Sequence, residues 1–257
     1  MSAAHSLFLP RSNFLLRIKP QPYLLAVVVP LTYLLLAATW LSPVLGSMTQ
    51  RLATHRGSFD WTDDLFLLEY MARGIVRGHL AFDTRLLGAP GGVNLSWTAL
   101  NYFWSALFFP ITVWWGVIAA YNSIMLVSLA ADGVAMYWAA RRWMQRRISA
   151  FLAGVLFMFS PYVMTHALIN HLNLMSVWTV PVFFALLYDA TTERRYPLPK
   201  SGLGMGFMLS IQAFTSEEVM ALMVLATGLI LFCWLLTNRL DRTALKVAFR
   251  LAVWGYH

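Results

Sequence analysis

The chain has 257 residues, 59% of them hydrophobic and 12% charged, with a mean hydropathy of +0.62. Soluble domains carry about a quarter charged residues, so this composition excludes an ordinary soluble domain and points to the bilayer. The formal charge of +8 comes from short basic clusters between apolar runs, the mark of cytoplasmic loops, rather than from a basic aromatic face that would dock nucleic acid.

Taken from the start, Arg11, Arg17 and Lys19 precede an uncharged run over residues 23–45. A span needs about 20 apolar residues, and this run is too long for a signal-peptide core, so an anchor that stays in place is expected. Next comes the most acidic stretch, "SFDWTDDLFLLEYMARG", with Asp60, Asp63, Asp64 and Glu69. Carboxylates near a membrane surface can act as a general base toward a hydroxyl or ligate a divalent cation. The plainer reading is that they solvate the first turn of a surface helix, where negative charge is favourable. "LLGAPGGVNLSW" (86–97) lacks the lysine and preceding strand of a phosphate-binding loop; a tight, specifically shaped turn is expected there.

Residues 97–116 carry Trp97, Tyr102, Trp104, Trp114 and Trp115. If this segment spans, the acidic loop falls on the side of the basic clusters. If it lies in the interface, as its ring density favours, only 118–140 spans and the acidic loop falls opposite them. Charge counting allows both topologies. The interfacial one is adopted because it brings the loop acids, the tip "THALINHLN" (165–173) and the pair Glu217 and Glu218 to one face.

The uncharged run 148–188 is long enough for two helices around that tip, and 201–238 for two more around the glutamates. His166 and His171 are five apart, a spacing that does not align them on one helix face, so a two-histidine metal site is a weak reading and water satisfies the tip equally well. Asp132 sits inside a span and faces either a partner helix or a polar cavity. "GLGMG" (202–206) permits close helix packing. One cysteine, Cys233, excludes an intrachain disulfide.

The expected architecture is therefore all-α: a polytopic transmembrane bundle of six or seven spans in one domain over 1–257. Residues 1–22 are its cytoplasmic N-terminus, 23–45 the first span, 46–117 an extracytoplasmic loop with juxtamembrane helices, and 118–257 the further spans. The last residues, "LKVAFRLAVWGYH", begin an apolar helix that stops after about a dozen positions, short of a span, and the domain is read as incomplete at its C-terminus.

The order of these features resembles the polytopic membrane glycosyltransferases of the GT-C fold class, in particular the actinobacterial-type membrane glycosyltransferases. The resemblance runs from Asp60 to about Leu225 and rests on the loop aspartates, the Gly78 region, "APGGVNLSW", "FFPITVWWGVIAAYN", "FSPYVMTHALINHLNL" and "QAFTSEEVMAL". It implies transfer of a sugar from a polyprenyl-phosphate donor to an extracytoplasmic glycan, lipid or protein acceptor, in a bacterial plasma membrane with the N-terminus cytoplasmic. Carried over by position, Asp60 matches the essential loop acid, with Asp63 and Asp64 as rivals. Arg73, Arg77, Arg85, Asn94, His171 and Glu217 are the candidate substrate-binding residues. A divalent cation (Mg or Mn) would be held by Asp64 or Glu217. The competing readings are a non-enzymatic translocase or transporter component for lipid-linked substrates, and an inactive truncated scaffold.

Overall fold

The computed structural model describes residues 22–53, 61–79, 82–97, 101–193 and 196–237. Outside them lie the basic N-terminus, Asp60, Arg194 and Arg195, the cluster beginning at Asn238 and the final apolar run. The described chain is almost wholly helical. In order, the helices are α1 (Pro22–Trp40), α2 (Ser42–Leu45), α3 (Trp61–Val76), α4 (Tyr102–Leu107), α5 (Phe109–Trp115) and α6 (Val117–Ala140). There follow α7 (Arg147–Met158), α8 (Pro161–Leu168), α9 (Leu172–Met175), α10 (Thr179–Tyr188), α11 (Leu198–Ala213) and α12 (Glu217–Thr237).

Among the described residues, four helical segments are long and apolar enough to cross a membrane: Val117–Ala140, Arg147–Leu168, Leu172–Thr192 and Glu217–Leu236. Helices α1 and α11 are apolar but shorter, at 19 and 16 residues. The uncharged run over 23–45 is thus not one helix. It stops at Trp40, and Pro43 sits in the first turn of a separate short helix where its missing N–H costs nothing.

The aromatic segment resolves into two short helices, neither long enough to span. Helix α4 ends at Leu107, and Pro110 sits at the start of α5. Gly116, at φ 89°, turns the chain into α6 through a conformation a side chain would resist. The glycine-rich stretch, expected as a tight turn, closes a short hairpin: Asp83 and Thr84 (β1) pair antiparallel with Val93 and Asn94 (β2). At Gly92, φ 83°, an added Cβ would meet the Thr84 carbonyl oxygen at 2.7 Å, so that position admits little but glycine.

Antiparallel neighbours set two ends of the bundle. At one end lie the loop after α1, helices α3 to α5, the start of α6, the α8–α9 tip and the α11–α12 turn. At the other lie the basic loop 141–147 and the α10–α11 connection. There Arg142 donates from Nε to Asp189 Oδ2 at 2.9 Å, nearly fully buried, with its guanidinium 3.4 Å above the Trp138 ring. This pair clamps α6 to the end of α10.

Helix α6 is the axis, packed against α1, α3, α5, α7 and α10. Its most extensive contact is with α7. Without a hydrophobic drive between helices in lipid, small residues must let backbones come near, and Gly133 and Gly154 do so here. A Cβ on Gly154 would stand 2.5 Å from the Gly133 carbonyl oxygen and would overlap Tyr33. Tyr33 of α1 is fully buried against both glycines, donates to the Phe151 carbonyl oxygen at 2.8 Å and stacks on the Phe151 ring at 4.9 Å. The "GLGMG" run lies where α11 meets α10, and a Cβ on Gly204 would touch only the end of the Leu186 side chain, at 3.0 Å.

These contacts rank the glycines. Gly154→Ala forces backbone and a rigid ring apart and is expected to cost roughly 1–3 kcal/mol, read as a lowered midpoint of thermal unfolding in detergent. Gly204→Ala displaces one flexible methyl group and leaves that midpoint within the scatter of replicate melts.

Candidate functional site at the polar end of the bundle

The first loop is pinned to α6 by a single buried side chain. Asn122 donates from Nδ2 to the carbonyl oxygens of Met48 (2.9 Å) and Arg51 (2.7 Å), and its Oδ1 accepts from Ala53 N at 2.9 Å. Three of its four hydrogen-bonding positions are used on loop backbone, which holds residues 48–53 against α6. The one signal of this role along the chain is an asparagine inside an apolar run, and residue pattern alone does not single it out.

Helix α3 opens with Asp63 and Asp64 in its first turn and carries Arg73 in its last, the arrangement its dipole favours. Leu67, Leu68, Met71 and Ala72 form its buried face against α4, α5 and α6. Asp63 is exposed, and Asp64 is half-buried, close enough to the buried Tyr121 hydroxyl for their charges to interact. Arg73 pairs with Glu69 at 2.6 Å on the exposed face, a link of little energetic weight. Arg77 and Arg85 are exposed. Asn94 serves the hairpin: its Nδ2 donates to Asp83 Oδ1 at 2.8 Å and its Oδ1 accepts from Ser96 N at 2.9 Å.

Helix α4 seats this loop on both hairpin tips. Phe103 N donates to the Phe214 carbonyl oxygen at 2.8 Å, and Trp104 Nε1 donates to Ser176 Oγ at 2.8 Å. The loop, the α8–α9 tip and the α11–α12 turn therefore share one end of the bundle.

The α8–α9 tip departs from the spacing argument. Helix α8 is set off from α7 by Ser160, whose extended backbone precedes Pro161 and whose Oγ accepts from Val163 N at 3.4 Å. It ends at Leu168, and Asn170 takes a left-handed φ of 68°. On a continuous helix the five-residue spacing would turn the histidines away from each other. The reversal at Asn170 instead folds His171 back, so that its Nδ1 lies 3.2 Å from His166 Nδ1, with ring centroids 5.3 Å apart. Tyr162, one turn before His166, meets that ring edge-on at 4.6 Å.

Helix α12 begins just after Ser216, whose Oγ accepts from Val219 N at 3.3 Å, and Glu217 and Glu218 are both exposed in its first turn. Both glutamates are thus placed by ordinary helix-start chemistry. Of the two, Glu218 lies within electrostatic reach of Tyr162 and His166. Asp132 faces a partner segment. Its Oδ1 accepts from Val177 N at 3.0 Å in the non-helical stretch ahead of α10, while its Oδ2 is buried without a hydrogen-bond partner among the described residues. Gln212, also fully buried, accepts from Thr179 Oγ1 and so ties α11 to the start of α10.

Two apolar grooves open beside these groups. One, of ≈ 320 Å³, runs between α8, α10 and α12 and is lined by Phe157, Val180, Phe184, Leu222 and Met223, with Ser160 and Tyr162 as its polar members. The other, of ≈ 500 Å³, lies between Met71, the hairpin residue Phe82, α4 and Phe214. Among the described residues no three His, Cys, Asp or Glu side chains group as a metal set. Asp64 and Glu217 therefore belong to no ligand group there.

The Asp132 contact has a direct consequence. Asp132→Ala leaves a buried Val177 N–H without an acceptor and is expected to cost about 1–3 kcal/mol, measured as lost thermal stability of the purified chain. Asp132→Asn keeps an oxygen in place and retains most of that stability. No protein-family model, curated protein or solved structure matches the chain.

Proposed function

We propose that the chain is a membrane glycosyltransferase of the GT-C type, transferring a sugar from a polyprenyl-phosphate donor to an acceptor hydroxyl at the polar end of the bundle. The observation that carries this reading is the ≈ 320 Å³ apolar groove between α8, α10 and α12, whose polar member Tyr162 touches His166. A groove between helices suits a long hydrocarbon chain, and a cluster of hydrogen-bonding groups at its rim suits the polar head. The basic loop 141–147 lies at the other end, and under the positive-inside rule this supports an extracytoplasmic polar end with a cytoplasmic N-terminus. A bacterial plasma membrane accords with that orientation.

In this reading the first-loop carboxylate, Asp60 with Asp63 and Asp64 as neighbours, accepts the proton of the acceptor hydroxyl as its oxygen attacks the anomeric carbon. The bond from that carbon to the phosphate oxygen breaks, and its electron pair leaves with polyprenyl phosphate. Arg77 and Arg85 are exposed on the same loop and suit the phosphate charge. Arg73 first has to give up Glu69, and Asn94 its hairpin bonds. Asp64 and Glu217 stand in no three-residue His, Cys, Asp or Glu group among the described residues, and no step is routed through a divalent cation.

A second reading, a carrier for lipid-linked substrates, has an observation of its own. The helical path is interrupted at Phe159–Ser160 and again over 176–178, and broken helices mark many transporter sites.

One experiment separates the two. The full chain in liposomes, given a labelled polyprenyl-phosphate sugar and an envelope extract as acceptor source, is expected to transfer label, and Asp60→Asn to lower the rate about 10²–10⁴-fold. Transport of the labelled lipid with no product favours the carrier. Full transfer by the Asp60→Asn variant at parental protein level removes Asp60 as the base.

A further inference from the structure

Helix α6 carries a second buried polar group on the face of Asp132. Ser128 stands one turn before it, and residues four apart share a helix face. Both side chains are fully buried, yet Ser128 Oγ and Asp132 Oδ2 have no hydrogen-bond partner among the described residues, each other included. A hydroxyl inside an apolar helix can return to the carbonyl oxygen four residues earlier. Thr32, Ser105, Ser210, Thr215 and Thr227 all do so. Ser128 does not, and its oxygen is left to another partner.

The break between α9 and α10 packs against this face. Val177 N is engaged by Asp132 Oδ1, and Val180 N by the Val177 carbonyl oxygen. The carbonyl oxygens of Asn173 and Ser176 therefore lack the N–H that a continuous helix would give them. The two ion pairs among the described residues, Glu69 with Arg73 and Asp189 with Arg142, leave Asp132 outside them. An ionised carboxylate buried without a countercharge is strongly disfavoured, and these neighbours supply oxygen atoms but no positive charge.

A proton on Oδ2 would engage one acceptor and leave the other oxygens as they are. A hard cation takes several oxygens at once, and unwound carbonyls in broken membrane helices coordinate sodium in this manner. One carboxylate balances one positive charge, which favours a monovalent ion over a divalent one. Such a site needs a single acid, so it is compatible with the lack of a three-member His, Cys, Asp or Glu group among the described residues.

We propose that α6 and the break over 173–177 form a binding site for an alkali cation of the sodium class. Asp132 Oδ2 and Ser128 Oγ are its side-chain ligands, and carbonyl oxygens of the break are its neutral ones. The site is independent of the glycosyltransfer reading, since it uses none of the residues assigned there to donor, acceptor or base. Val177, bonded to Asp132, and Tyr162, within electrostatic reach of it, both line the ≈ 320 Å³ groove. The bound ion thus sits behind the wall of that groove and holds it in place.

The test uses the full chain in detergent, with sodium chloride replacing N-methylglucamine chloride at constant ionic strength. The midpoint of thermal unfolding of the parent is expected to rise with sodium and then level off, as it does when an ion binds the folded state alone. Radioactive sodium binds the parent with a stoichiometry of about one. Ser128→Ala weakens that binding about tenfold, the weight of one lost ligand. Asp132→Asn, which keeps an acceptor for Val177 N, removes the sodium response while melting close to the parent in N-methylglucamine. A parent midpoint that is the same in both salts, with no saturable sodium binding, overturns the proposal and leaves water as the partner of these oxygens. Sodium binding that survives Asp132→Asn unchanged overturns it as well. A midpoint that ignores sodium but shifts with pH in the parent, and not in Asp132→Asn, makes the occupant a proton and overturns the cation site.

Discussion

The contact on which the bundle depends is the meeting of α1, α6 and α7 around Tyr33. Its ring lies against the bare backbones of Gly133 and Gly154, and its hydroxyl reaches the Phe151 carbonyl oxygen at 2.8 Å. In lipid the usual gain from burying apolar surface between helices is absent, so shape and backbone proximity must supply the specificity. Two missing side chains on facing helices create the slot, and one large ring fills it. Because α6 also carries Asn122 and Asp132, the position of α6 sets both the first loop and the approach to α10.

From that axis outward, interrupted helices build the polar end. A straight helix pair spanning the same run would leave His166 and His171 on different faces and Val177 N–H inside an ordinary helical ladder. The extended Ser160 before Pro161, the left-handed Asn170 and the non-helical residues ahead of α10 instead free backbone and side-chain groups at one level of the bundle. Such backbone is tolerated at membrane depth where protein groups satisfy it. Ser160 and Asp132 do so for Val163 N and Val177 N respectively.

Charge is sorted along the same axis. The acids at 63, 64, 217 and 218 stand at helix starts, where the dipole favours them, and all are at the polar end. The opposite end holds the buried Arg142–Asp189 pair beneath Trp138. A buried ion pair is weak evidence for stability, but removing one partner strands the other charge, so this pair fixes the register of α6 against α10. It also leaves the polar end free of a comparable buried cation among the described residues, and there Tyr162 faces a groove and Trp104 a hairpin tip.

Much of the plan was legible in the residue order. Apolar run length marked 118–140 and the two hairpins around 165–173 and 217–218, because a helix that shields its own backbone needs only an uninterrupted apolar run of sufficient length. Proline and glycine marked the tight hairpin at 86–97, since positive φ and fixed φ are properties of single residues. What the run lengths left hidden was where helices stop inside an apolar stretch, as at Trp40 and at Phe159, and which polar side chain meets which. The His166–His171 contact depends on one left-handed residue between them. The role of Asn122 depends on a loop some 70 residues earlier in the chain, and the choice of Glu218 over Glu217 depends on how α12 turns toward α8. Local rules act within a few residues and can be read along the chain. These pairings are set by the distance of closest approach between helices, and that distance is decided only when Tyr33 closes on Gly133 and Gly154.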